Sequence, residues 1–206
     1  MSHVSHTLLK NARLIFTWGI IFALAAGGIS LLFPKQYAAE SQVLVISRDR
    51  SGVDPYTQVK SAERIGENLA QVMKTTDFYN KVMELTVYPF NKDRWLKLSE
   101  RGQRKRWKQD VQAGVVYGTG LLDITVYSFS KDDARALSDA VTQTVASRGW
   151  EYLGGDVALK VVNDPLISRW PARPDIGLNI IIGLAAGVLL SALWVARYKK
   201  HSVFGT

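Results

Sequence analysis

Two apolar runs bracket the chain, Leu14–Phe33 and Ile176–Ala196, and neither carries a charged side chain. Each is roughly 20 residues, enough to cross a hydrocarbon core of about 30 Å as a helix. The pattern between them changes period several times. Ala39–Ser47 alternates and then runs apolar through Val43, Leu44, Val45 and Ile46, which predicts a strand. Arg48–Tyr56 carries Gly52 and Pro55 and predicts a loop. From Gln58 to about Thr86 apolar residues recur at helical spacing, with Thr75-Thr76-Asp77 as a break and second cap. Asn91–Gln109 predicts a third helix. Val111–Val116 and Leu121–Phe129 predict a hairpin across Tyr117-Gly118-Thr119-Gly120. Ser130-Lys131-Asp132-Asp133 reads as a cap that opens a long helix with Ala134, Leu137, Ala140, Val141 and Val145 on one stripe. Val157–Val162 predicts a last strand, ended by Asn163-Asp164-Pro165, before an extended exit containing Pro171 and Pro174.

The expected fold is therefore an α+β extracytoplasmic domain between two transmembrane helices. Its expected limits are a tail over residues 1–13, a membrane helix over 14–34, the domain over 35–175, a second membrane helix over 176–196 and a tail over 197–206. A cleavable signal peptide ending near Ala23-Leu24-Ala25 is the competing reading of the first run. The run continues to Phe33, longer than a usual signal core, and favours a retained anchor.

Charge adds the orientation. The chain has 26 Lys and Arg against 18 Asp and Glu. Lys10, Arg13, Arg197, Lys199 and Lys200 give the two tails +5 with no acidic residue, leaving +3 between the runs. Short basic flanks stay cytoplasmic, so both termini are expected on the cytoplasmic side of the membrane and the central domain outside. Trp18, Trp194 and Tyr198 fall near the expected interfaces. The pI of 9.7 is then partly a topology signal, and no nucleic-acid partner is inferred from it. The chain has no cysteine, so an exported domain must rest on packing alone.

Candidate chemistry is sparse. His3, His6 and His201 all lie in the tails, which leaves the central domain without His or Cys as general base or thiol nucleophile. Asp132 and Asp133 suit a helix start better than a catalytic pair, since acids favour the positive end of the helix dipole. No catalytic residue, metal ligand or cofactor site is expected, and the chain is read as a non-enzyme. Three features remain. Arg101, Arg104, Lys105, Arg106 and Lys108 cluster on the third helix candidate beside Trp95 and Trp107. They form either a solvated face with the tryptophans inward or a contact for anionic glycan or lipid. Ala23 and Gly27 in the first run, and Gly183 and Gly187 in the second, have the small-x-x-x-small spacing of close helix packing, within one chain or between copies. Pro165, Pro171 and Pro174 stiffen the approach to the second run.

These residues also carry a resemblance. A membrane helix followed by Pro34-Lys35-Gln36-Tyr37-Ala38-Ala39 and a Val-rich strand resembles the start of the bacterial polysaccharide chain-length determinants, or polysaccharide co-polymerases. Asp164-Pro165, Pro171-x-x-Pro174, a Gly-rich membrane helix and a basic stop are similar to the family's far end. Thr119–Val126 followed by Ser130–Ala134 is similar to its strand-then-helix core. The resemblance implies a homo-oligomeric membrane regulator of surface polysaccharide length, working beside a polymerase or lipid-linked glycan. The short external domain resembles the small form found with capsule and exopolysaccharide clusters, whose partner is a cytoplasmic tyrosine kinase. The alternative function is therefore a membrane adaptor of such a kinase. Only Tyr198 and the Val203-Phe204 pair offer a tail for that role.

Overall fold

The computed structural model describes residues 10–47, 54–153 and 157–201. His3, His6, Val203-Phe204 and most of the Arg48–Tyr56 loop lie outside the described residues. The chain divides into two compact units, one made from both ends of the sequence and one from Gln36–Ala172.

The first unit is a pair of helices, α1 (Ala12–Leu31) and α8 (Ile176–His201). Ala12–Leu31 and Ile176–Tyr198 are long and apolar enough to cross a membrane. Each exposes large apolar side chains such as Phe16, Leu24, Ile181 and Leu193 over most of its surface, the pattern that lipid solvates. Asp175 starts α8 by accepting the Leu178 N–H at 2.9 Å.

The second unit is a four-stranded antiparallel sheet with helices on one face. The strands are β1 (Tyr37–Ser47), β2 (Val111–Val116), β3 (Leu121–Ser128) and β4 (Val157–Ile167), in spatial order β2-β3-β1-β4. The helices are α2 (Pro55–Val72), α3 (Thr76–Glu84), α4 (Asp93–Leu96), α5 (Glu100–Asp110), α6 (Lys131–Arg148) and α7 (Trp150–Leu153). The unit is thus α+β, and it lies in sequence between the two membrane-length helices.

The caps that local sequence offers are used. Thr75 Oγ1 accepts the Phe78 N–H at 3.3 Å, Ser99 Oγ accepts from Gly102 at 3.4 Å, and Ser130 Oγ accepts from Asp133 at 3.1 Å. Ser99 explains why the expected third helix is two. It caps a new helix in the middle of Asn91–Gln109, so α4 stops at Leu96 and α5 begins at Glu100.

Strand alternation then builds the core. On β3, Leu122, Ile124, Val126 and Ser128 are buried while Leu121, Asp123, Thr125 and Tyr127 are half-exposed. On β1, Ala39, Ser41, Val43 and Val45 face the same way. α2 and α6 close over this face, with Leu69, Leu137, Val141 and Val145 fully buried among the strand side chains. A hydroxyl cluster sits inside it: Ser41 Oγ and Thr142 Oγ1 are 2.6 Å apart, and Ser138 donates to Ser41 at 3.4 Å. The hairpin turn needs its glycines. Gly118 and Gly120 have φ of 79° and 66°, a region where a Cβ is strained. The Gly118 N–H also donates to the buried carboxylate of Glu63 on α2, tying the turn to the helix.

The last strand corrects the expectation for Pro165. β4 runs to Ile167, and Pro165 lies buried within it, outside the exit segment. The reason is the register. Glu40 pairs with Leu166, Gln42 with Asn163 and Val43 with Val161, so β4 carries one extra residue opposite Ser41 and another between Gln42 and Val43. β4 is an edge strand, and Pro165 has no register partner there, so its missing N–H breaks no ladder bond.

Candidate functional site

Three surfaces hold the residues singled out by sequence. The first is the contact between α1 and α8. Gly19, Ala23, Gly27 and Ser30 form a buried stripe on α1; Gly183, Gly187, Ser191 and Val195 form one on α8. A Cβ added at Gly183 would stand 2.7 Å from both the Ala26 Cβ and the Phe22 carbonyl oxygen. One added at Gly187 would stand 2.9 Å from the Trp18 carbonyl oxygen and 3.0 Å from the Gly19 Cα. Three of these atoms are backbone and the fourth is a Cβ, so the two helices touch at the glycines within a single chain. Asn179 Nδ2 donates to Ser30 Oγ at 2.6 Å, and Ser191 Oγ donates to the Gly187 carbonyl at 2.7 Å. Gly19, Ser30, Asn179 and Ser191 are additions to the four sequence candidates. The four-residue spacings from Gly19 to Ala23, from Asn179 to Gly183 and from Gly187 to Ser191 mark three of them in the sequence.

The second surface is α5 and what lies beneath it. Trp95 and Trp107 are fully buried, edge to face at 5.8 Å, and Tyr79 meets Trp107 at 5.2 Å. The Trp107 indole N–H donates to the Met73 carbonyl at 2.8 Å. The basic cluster splits accordingly. Arg106 turns inward, its Nε donating to buried Asp110 at 2.9 Å. Arg104 pairs with exposed Glu100 one turn earlier. Arg101, Lys105 and Lys108 are exposed and make no ion pair among the described residues.

Sequence reasoning missed Arg94, which organises this corner. Its guanidinium donates to Ser128 Oγ at 2.8 Å and to the Tyr127 carbonyl at 2.9 Å. It faces Asp110 at 3.2 Å and Asp133 at 3.8 Å, and stacks 3.9 Å over the Trp95 ring. Burial pushes its pKa down, while Asp110 and Asp133 oppose that by favouring the charged form. Asp133 therefore does more than start α6. It accepts the Asn91 N–H at 2.5 Å and the Ser128 hydroxyl, clamping the segment before α4 to the end of β3. Asp132 stays exposed at the helix start.

The third surface is the face of the sheet opposite the helices. Asn163 Nδ2 donates to Gln42 Oε1 at 2.6 Å, and Gln42 Nε2 donates to Asp123 Oδ1 at 2.7 Å, a polar row across β4, β1 and β3. With Glu40, Thr125, Asp164 and Leu166 it lines an open depression of about 570 Å³. Past the end of β4 the chain returns alongside the segment that leads into β1, still antiparallel to it. The Ser168 N–H donates to the Ala38 carbonyl and the Ala172 N–H to the Gln36 carbonyl, both at 2.8 Å. Pro171 lies inside this returned stretch and Pro174 just beyond it. Among the described residues no group of three His, Cys, Asp or Glu side chains stands close enough to hold a metal ion.

Comparison with known proteins finds one family. Residues 2–85 match the family model described as Wzz, chain length determinant protein. The match takes in α1, β1, α2 and α3; the proline segment and α8 fall beyond it. No curated protein matches the chain. The resemblance to the polysaccharide chain-length determinants is borne out by that match, and it supports a role in setting surface polysaccharide length at a membrane.

Proposed function

We propose that the chain is a non-enzymatic scaffold of the inner membrane that sets the length of a capsule, exopolysaccharide or O-antigen type glycan as a homo-oligomer beside the polymerase. Both termini are cytoplasmic and the α+β unit is extracytoplasmic, which the +5 carried by the tails supports. The carrying observation is the chain-length determinant match over residues 2–85, which begins ahead of a membrane-length helix and runs into the α+β unit. A regulator of this kind acts by presenting surfaces, and three built surfaces are described above. Its partners are the polymerase or the lipid-linked glycan.

The test is an electrophoretic profile of surface polysaccharide from cells lacking the chain and from cells with it restored. A modal length distribution that is lost and then regained supports the reading. An unchanged profile overturns it.

A further inference from the structure

The open face of the sheet and the outer face of α5 are complementary. On the sheet, Glu40 and Asp164 are exposed and have no cationic partner among the described residues, and Asp123 is held in place by Gln42. Asp164 also stands near Asp139 of α6, whose carboxyl is pushed up by burial and, against the opposing charge of Arg135, by the Asp164 charge. Lys160 shares the face farther along β4, opposite Leu44, beyond the depression. On α5, Arg101, Lys105 and Lys108 follow one another at helical spacing along one exposed stripe, opposite buried Trp107.

The two patches cannot meet within one copy. α5 runs directly into β2 at one edge of the sheet and belongs to the helical layer. Glu40 and Asp123 lie on the other face, and Asp164 stands at the bulged rim of β4 on the opposite edge, where it lines the depression and also nears α6. Contact between different patches on identical chains is head-to-tail and propagates from copy to copy. The membrane glycines are already used within the chain, so contact between copies must be made elsewhere.

We propose that the polar sheet face of one copy, centred on Glu40, Asp123 and Asp164, receives the Arg101–Lys105–Lys108 stripe of α5 from a second copy. The inference rests on the scaffold reading, for which it names the contact that builds the oligomer. Charge complementarity at such an exposed seam steers and registers the encounter. It also makes assembly sensitive to salt, because the screening length shrinks to about 3 Å at 1 M.

The test uses full-length chains in native membranes, with assembly read by amine-independent photo-cross-linking and by native gels in mild detergent. One variant carries Glu40→Lys with Asp164→Lys. The other carries Arg101→Glu, Lys105→Glu and Lys108→Glu. Each alone is expected to lose most of its oligomer, because both of its patches then have the same sign. Co-expressed, they are expected to recover it, since the reversed sheet of one fits the reversed helix of the other. A misfolded chain gives no such rescue, so recovery also reports folding. Oligomers that persist in each single variant overturn the proposal and leave the scaffold reading standing. So does loss without rescue. Persistent oligomers with a changed glycan profile assign these patches to glycan contact instead. A wild-type chain that is monomeric in membranes overturns the scaffold reading itself.

Discussion

Arg94 concentrates the stability of its corner in one side chain. It neutralises Asp110 and Asp133 where water is excluded, and it caps the Trp95 ring. Replacing it by methionine keeps the bulk but leaves Asp133 without its cation and Asp110 with Arg106 alone, a loss of about 3 kcal/mol. Thermal unfolding of Arg94→Met in detergent should show a Tm fall on the order of 10 °C. A shift within error would mean that the pair is solvated. Glu63 makes a different prediction. Its bond to Lys60 at 2.8 Å and the Gly118 N–H hold its carboxyl below the usual range. A depressed pKa contributes stability that is present above the unfolded value of about 4.3. That contribution is lost as pH falls through the folded value. Tm measured from pH 7 down to 3 should fall less steeply in Glu63→Gln than in the wild type. Parallel curves would remove Glu63 from the acid response.

At the scale of elements, the apolar periods located nearly every helix and strand, because one buried face imposes a period of about 3.6 or 2 on any amphipathic segment. Two boundaries went differently for local reasons. Ser99 restarts a helix that charge pattern alone would have run through, and the bulged edge position tolerates Pro165 inside β4. Arg94 was illegible because its partners lie 16 and 39 positions away, on α5 and α6, and no local spacing marks such a pair. The membrane glycines were legible as a spacing, but whether they serve one chain or two was not. Gly183→Leu with Gly187→Leu should push α1 and α8 apart, since the atoms in the way are backbone and Cβ atoms, which cannot repack. Because the chain has no cysteine, Ser30→Cys with Asn179→Cys provides a clean thiol pair for a short cross-linker. Cross-linking within a single chain should be efficient in the wild-type background and lost in the leucine background. Unchanged yield would show that the helices accommodate the bulk.

For the molecule as a whole, the exit from the sheet bears on function. Pro171 and Pro174 limit backbone freedom in the stretch that leads to α8. Replacing both by alanine should leave export and Tm nearly intact and still shift the modal length of the polysaccharide at matched protein levels. An unchanged profile would separate that stretch from length control. The adjacency of β1 and β4 has a mechanical consequence as well. The chain enters the sheet at Tyr37 and leaves it after Ile167, at the same end of one antiparallel ladder. A force drawing Gln36 and Ala172 apart loads that ladder as a zipper, one rung at a time, starting with the Ala172–Gln36 and Ser168–Ala38 bonds and passing on to Ala39 and Ile167. Shear across all rungs at once never arises. With no covalent staple to stop it, the sheet yields first at its base, at low force, while the packed layer of α6 and β3 is the last to feel the pull.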